Sequence, residues 1–463
     1  MRGVSLIILM CAALCSRGNI RLPAVIASNM VLQQRDSVKI WGWADPHEKI
    51  TLTPSWDKKT YETTGSRDAR WEINIATPAA GGPHTITLKG KNTIVLTNVM
   101  VGEVWICSGQ SNMEMCGQWG LQDIKAELPT AHLQNVRFFH IPKTTAPYPQ
   151  ENCEGQWTAC DSATLPSFSA VAYFFGKRLS KELNVPVGLI AASWGGTAAE
   201  IWTPGGIVHK DPVLAQAAKK IEPSGMCPYE PGYAFNAMIA PVTHYAIAGV
   251  IWYQGENNTG AASTYRRLFT AMIDSWRDAW QRDLPFYFVQ IAPFVYRLKN
   301  TGALLREAQL QSATHHKTGM VVVTDLVADT HNVHPANKHD VGWRLANMAL
   351  VNTYHKQGIP FQSPVFRNMD IQGKKAVVTF TGDKGLKIKG PVATEWLMAG
   401  PDRIFHPATI SIRGQQVTVS SPMVKAPVAV RYGFRDAAMG NLFSGEGLPV
   451  SPFRTDSWDV AIK

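Results

Sequence analysis

Five apolar stretches constrain this chain more than anything else in it: "VGEVWICS" from Val101, "VPVGLIAAS" from Val185, "IAGVIWYQ" from Ile247, "PFYFVQIA" from Pro285 and "GMVVVTDL" from Gly319. They are apolar at successive positions, so a strand built from any of them needs cover on both faces. That condition is met in a parallel sheet between two layers of helix. The segments between them supply the helices. "SFSAVAYFFGKRLSKEL" sets Phe168, Val171, Phe175 and Leu179 on one stripe, and "TYRRLFTAMIDSWRDAW" does the same with Tyr265, Leu268, Phe269, Met272 and Trp276. "NKHDVGWRLANMAL" repeats the pattern with Val341, Leu345 and Met348. The middle of the chain, residues 99–360, reads as an α/β domain.

On either side the period falls to two. Residues 21–98 contain "SVKIWGWA", "KITLTP", "RWEINIA" and "HTITLKG" between turn-forming clusters, an antiparallel β region. Residues 361–463 contain "KAVVTFTG", "TISIRGQQVTVS" and "VAVRYGF", a second β-rich region. Economy of packing suggests that the two lie near each other. The Trp residues of "WGWA" and "EIW" read as core.

The first eighteen residues, "MRGVSLIILMCAALCSRG", carry a basic residue, a short apolar run and small residues, the pattern of a secretory signal peptide. The protein is therefore expected to be exported, to the periplasm or the medium. Cys15 offers a site for lipoprotein anchoring, although Leu14 is a poor residue before it. No later segment is apolar for long enough to span a bilayer. Five cysteines follow the leader, and Cys153 and Cys160 bracket a short polar loop where a disulfide could form. Cys107, inside an apolar run, reads as a core residue. The net charge of +10 is scattered, with no dense basic run, which argues against nucleic acid as a partner.

In doubly wound sheets ligands bind beyond the C-terminal ends of the strands. Here those ends deliver "SGQSNM", "SWGGT", "YQGENN" and "TDLVADTHNVHP". Together they hold a hydroxyl on a sharp turn, a glycine pair, amide side chains and an imidazole. Acyl transfer requires such parts. A serine is a weak nucleophile until a base takes its proton, and the oxyanion needs N–H donors. The bland readings are an N-cap for Ser111, a tight turn for Gly195 and Gly196, turn-binding amides for Gln254 and Asn258, and a buried structural carboxylate for Glu256. Ser108 reads as structural, His315, His316 and His339 as surface residues, and Trp194 as a wall of the substrate pocket. "DTHNVH" also has the spacing of metal ligands, but without a companion motif it calls for no metal or other cofactor.

"GQSNM", "SWGGT", "WYQGE" and the "HP" followed by "NK…VG.RLA" resemble, in order and spacing, the sialate O-acetylesterase family of the SGNH/GDSL-type hydrolases. The early "LPAVIASNMVLQQ" and late "GLPVSPFRTDSW" extend the likeness over most of the chain. The resemblance implies a flavodoxin-like α/β/α catalytic domain with accessory antiparallel β regions at both ends, acting on an acetylated carbohydrate. It implies Ser111 as nucleophile and as one oxyanion donor through its N–H, with Gly195 as a second donor and Gly196 in reserve. The third donor is Gln254 or Asn258, and His334 is the general base. The sequence departs from the family at the acid, because His331 stands three residues before His334 and Asn332 follows it. That leaves Asp329, Asp325, a backbone carbonyl, or a Ser–His dyad. Oligomeric state is not legible.

Overall fold

The computed structural model describes residues 19–222, 225, 227–382 and 384–462. The expected signal peptide, residues 1–18, lies outside them.

All five apolar runs form strands of one sheet. Across it the order is Thr318–Val321, Phe286–Val289, Gly249–Tyr253, Thr93–Gly109, Val187–Ser193, Leu133–His140 and Trp157–Cys160. Every neighbouring pair is parallel except the last, which is antiparallel. The continuous apolar patterning has its reason in the two cores. Val104 and Ile106 enter one core with Trp252, Phe269 and Trp276, whereas Trp105 and Cys107 enter the other with Tyr173, Phe175 and Leu345. Side chains alternate between the faces of a pleated strand, so each strand feeds both layers.

Helix Ala262–Trp280 covers the first face, and helices Ala170–Leu183 and Lys338–Asn352 cover the second. The stripes read from sequence are the buried ones: Val171, Phe175 and Leu179, then Tyr265, Leu268, Phe269, Met272 and Trp276, then Val341, Leu345 and Met348. Each such side chain contributes about 1.5–3 kcal/mol on burial. Local signals set the helix ends. Ser169 Oγ accepts the Ala172 N–H, Asn337 Oδ1 accepts the Asp340 N–H, and Asn184 ends its helix in the left-handed region at φ 55°.

The strand Thr93–Gly109 is 17 residues long and belongs to two structures at once. Its first half pairs with Gly81–Lys89 and Val31–Gln33 in the N-terminal β region. Its second half is the centre of the parallel sheet. The expected boundary between residues 98 and 99 thus falls inside one strand. The C-terminal region forms separate antiparallel sheets around its own core of Val378, Phe380, Trp396, Val417 and Phe453. It is tied to the α/β domain by side chains: Arg454 to Glu307 at 2.7 and 2.9 Å, Arg306 to the Arg435 carbonyl, and Gln290 to Ser451. Among the described residues no strand of one β region pairs with a strand of the other.

The disulfide suggested for Cys153 and Cys160 is not formed, and all five cysteines from Cys107 to Cys227 are free. The two thiols sit in different cores. Cys153 packs against the one containing Trp157, and Cys160 lies in the one containing Phe138 and Phe168. Burial pushes both thiols up to about 12. No helix among the described residues is long and apolar enough to cross a membrane.

Candidate active site

Gly109 ends the central strand at φ 139°, and a Cβ there would lie 2.2 Å from the Tyr253 carbonyl oxygen. Only glycine lets the chain turn so close to its neighbour. Gln110 follows in extended conformation, and Ser111–Glu114 form a single helical turn. The Gln110 carbonyl accepts the N–H groups of Met113 and Glu114, both at 2.9 Å. Ser111, first in the turn, has no intrahelical acceptor for its own N–H. The Gln110 side-chain oxygen accepts the Gly255 N–H at 3.2 Å, fixing this turn to the end of the next strand.

His334 reaches Ser111 from a loop more than two hundred residues away. Its Nε2 is 2.8 Å from Ser111 Oγ, a hydrogen bond in which the hydroxyl donates to a neutral ring. Trp119 meets the imidazole edge-on at 5.8 Å between centroids. Burial, and secondarily the Lys338 ammonium, lower the His334 pKa and favour the neutral form. The His334 N–H donates to Asn332 Oδ1 at 2.9 Å, which shapes the loop.

Among the described residues no carboxylate is hydrogen-bonded to that imidazole. Asp329, one of the candidates for the acid, is exposed and accepts the backbone N–H of His331 at 2.8 Å, with the His331 ring 3.3 Å away. It closes its own turn instead of folding back to His334. Asp325 is held in a bidentate pair by Arg344 at 2.7 Å for both contacts. His331 is exposed, and its ring meets Asp329. Nδ1 of His334 makes no hydrogen bond among the described residues. Among the described residues the side chain in contact with the His334 ring nitrogens is Ser111, through Nε2.

Gly195 lies beside the serine, where a Cβ would be 3.2 Å from Ser111 Cβ. Its N–H donates to Glu114 Oε2 at 2.6 Å, and the other Glu114 oxygen pairs with Lys143. A carboxylate oxygen of the protein's own turn therefore occupies this donor. Gly196 follows at φ 75°. Trp194 is half-buried beside the pair.

The two amides expected at the third donor position are committed elsewhere. Gln254 Nε2 donates to the Thr197 carbonyl at 3.1 Å and to Asn258 Oδ1 at 2.6 Å, while its Oε1 accepts from Tyr265 at 3.0 Å. Asn258 Oδ1 also accepts the Ala199 N–H at 2.9 Å, and its Nδ2 donates to Glu200 at 2.8 Å. Both side chains are buried, and buried polar groups must be paired. They join the loops after two strands and do not face Ser111 as free donors.

Sequence reasoning missed the group that draws the motifs together. Asn112 is fully buried; its Nδ2 donates to Glu256 Oε1 at 2.6 Å and to the Val333 carbonyl at 3.0 Å, and its Oδ1 accepts from Lys338 Nζ at 2.6 Å. One side chain thus links the Ser111 turn, the "QGE" strand end and the His334 loop. Burial raises the Glu256 pKa and pulls Lys338 down to about 7. Glu256 is the structural carboxylate that its position suggested. The signal for Lys338 was present in the "HP…NK" motif, but a lysine there reads by default as solvated.

Comparison with known proteins agrees with this geometry. Residues 101–351, more than half of the chain, match the model of the family described as carbohydrate esterase, sialic acid-specific acetylesterase. The chain is 28% identical to the sialate O-acetylesterase of Homo sapiens over 399 residues, covering 78% of this chain and 76% of that protein. With the Rattus norvegicus enzyme it shares 28% identity over 458 residues, 84% of each chain. Among solved structures, a carbohydrate acetylesterase from Xanthomonas citri superposes with a TM-score of 0.86 at 34% identity, covering 95% of this chain and 100% of that one. The chain belongs to the sialic acid-specific acetylesterase family of carbohydrate esterases, which are carboxylic ester hydrolases.

Proposed function

We propose that this is an exported esterase that removes O-acetyl groups from acetylated sugars, sialic acid foremost, through an acetyl-Ser111 intermediate. The observation that carries the reading is the 2.8 Å contact between Ser111 Oγ and His334 Nε2. Ser111 Oγ attacks the acetyl carbonyl carbon as its proton passes to Nε2. The tetrahedral oxyanion is taken by the N–H groups of Ser111 and Gly195. Glu114 must release Gly195 for this, and Lys143 is placed to keep the displaced carboxylate. The C–O bond to the sugar then breaks, and His334 returns the proton to the leaving sugar oxygen. Water, deprotonated by the same imidazole, hydrolyses the acetyl ester and frees acetate. Without an acid, the His334 loop is held by Asn332 and by the Asn112 bond to Val333. A leader-like N-terminal sequence supports export to the periplasm or the medium.

The relatives named as sialate O-acetylesterases favour sialic acid, and the broader name of the Xanthomonas citri structure favours a second reading, deacetylation of a neutral plant polysaccharide such as acetylated xylan. Acetate release from acetylated sialic acid, xylo-oligosaccharides and hexoses decides between them. Ser111→Ala, assayed alongside, should lower kcat on the order of a million-fold with the fold intact. A folded variant keeping a tenth of the turnover would move the nucleophile elsewhere.

A further inference from the structure

One sizeable cleft of the molecule contains none of the residues around Ser111. It measures about 710 Å³ and opens between the N-terminal strand pair Ser37–Trp43 and Arg70–Ala76, the segment 149–151 and the segment 240–244. That volume suits a ligand of a few sugar rings.

The strand pair facing it has an unusual outward side. Val38, Ile40, Trp71, Ile73 and Ile75 are buried on its core side. The alternate positions point the other way, and directly paired residues share a face. Trp41 pairs with Glu72, and Trp43 pairs with Arg70. Two tryptophans thus share a face with an exposed arginine and glutamate. Trp41 is covered by His244 and Tyr245, at 5.5 and 6.5 Å between ring centroids. Trp43 stays half-buried, and its Nε1 donates to Glu151 Oε2 at 3.3 Å. Arg70 pairs with the same carboxylate. The His244 ring makes no hydrogen bond among the described residues, and burial lowers its pKa, which keeps it a neutral donor and acceptor.

We propose that this cleft binds a neutral, unacetylated oligosaccharide segment, with Trp43 beneath a sugar ring and Glu151, Arg70, Glu72 and His244 taking its hydroxyls. A pyranose has C–H faces that suit an indole and a hydroxyl rim that suits carboxylate, guanidinium and imidazole. Charge selects the neutral sugar. The charged side chains of the lining are one arginine and two glutamates, and they are engaged in ion pairs, Arg70 with Glu151 and Glu72 with Lys39 beside the cleft. The carboxylate of a sialylated glycan would find no unpaired cation there. The site would hold the enzyme on a polymer independently of the acetyl group being cleaved.

Calorimetric titration of the full chain with a panel of unacetylated cello-, xylo- and manno-oligosaccharides tests this, with sialyllactose as the charged control. We expect saturable binding of at least one neutral member and at least tenfold weaker sialyllactose binding. Trp43→Ala should weaken the neutral ligand at least about tenfold, the effect of truncating an aromatic anchor. Hydrolysis of a small chromogenic acetate ester should stay unchanged in the variant. No saturable neutral binding, equal binding of sialyllactose, or undiminished binding by Trp43→Ala would each overturn the proposal. If Trp43→Ala loses ester hydrolysis and so has not folded, Glu151→Gln decides: weaker binding supports the site, and unchanged binding overturns it. None of these outcomes depends on Ser111 being the nucleophile.

Discussion

The two edges of the candidate site use their polar groups in opposite ways. At the edge of Ser111 and His334, the hydroxyl meets one ring nitrogen, the other ring nitrogen has no hydrogen-bond partner among the described residues, and the serine N–H lacks an intrahelical acceptor. At the edge of Gln254 and Asn258, the side-chain oxygens and nitrogens run in a closed, buried chain from Tyr265 through both amides to Glu200. Both edges are made of residues that an esterase motif would nominate. The difference teaches that residue type nominates a site and uncommitted hydrogen-bonding capacity selects from it. The first edge has capacity left for a substrate. The second stabilises the loops that frame the first.

The comparison predicts a steep gradient of effects. His334→Ala should lower kcat about a million-fold, as loss of either member of a nucleophile–base unit does; steady-state hydrolysis of an acetate ester measures it, and a loss under a hundredfold would remove His334 from the chemistry. Asn258→Ala should act first on stability. It removes the acceptor shared by Gln254 Nε2 and the Ala199 N–H and leaves the buried Glu200 carboxylate without its Asn258 donor, at about 1–3 kcal/mol. Urea unfolding reads that cost, and a variant of wild-type stability with collapsed kcat would return Asn258 to the oxyanion site.

The pH profile sharpens the first edge. His334 must be neutral to accept the serine proton, and burial beside Lys338 lowers its pKa. Activity is therefore present above the lowered pKa and is lost as pH falls through it, so the acid limb of kcat/KM should have its midpoint below the usual imidazole value of about 6.5. A midpoint above that value would mean an undetected negative charge at the imidazole. Asp329→Asn marks the small end of the scale. A true triad acid would cost about ten-thousandfold on this change, but Asp329 closes its own turn at the surface, so kcat should change less than about tenfold.

Much of this was legible in the sequence, for definite reasons. The five strands declared themselves because each feeds two cores, and Ser111 and His334 stood out because strand ends are where such sheets expose side chains. What stayed hidden depended on distance in the chain. Asn112 lies next to Ser111, but its partners Glu256, Val333 and Lys338 are over 140 residues away. Gln254 and Asn258 read as donors because composition does not show which acceptors are already engaged. Cys153 and Cys160 are close in sequence yet point into different cores. Trp41 and Trp43 read as core; Trp41 is core, whereas Trp43, also on the face opposite Trp71, is only half-buried.

The central claim, that Ser111 carries the acetyl group with His334 as its base, is tested most directly by trapping the intermediate. The full chain is mixed with an excess of an activated acetate ester, quenched in acid within the first turnover, and mapped by peptide mass spectrometry. The account predicts one acetyl group per chain on the peptide containing Ser111, absent in both Ser111→Ala and His334→Ala. Acetyl on another residue, or rapid hydrolysis that persists in Ser111→Ala, would contradict it.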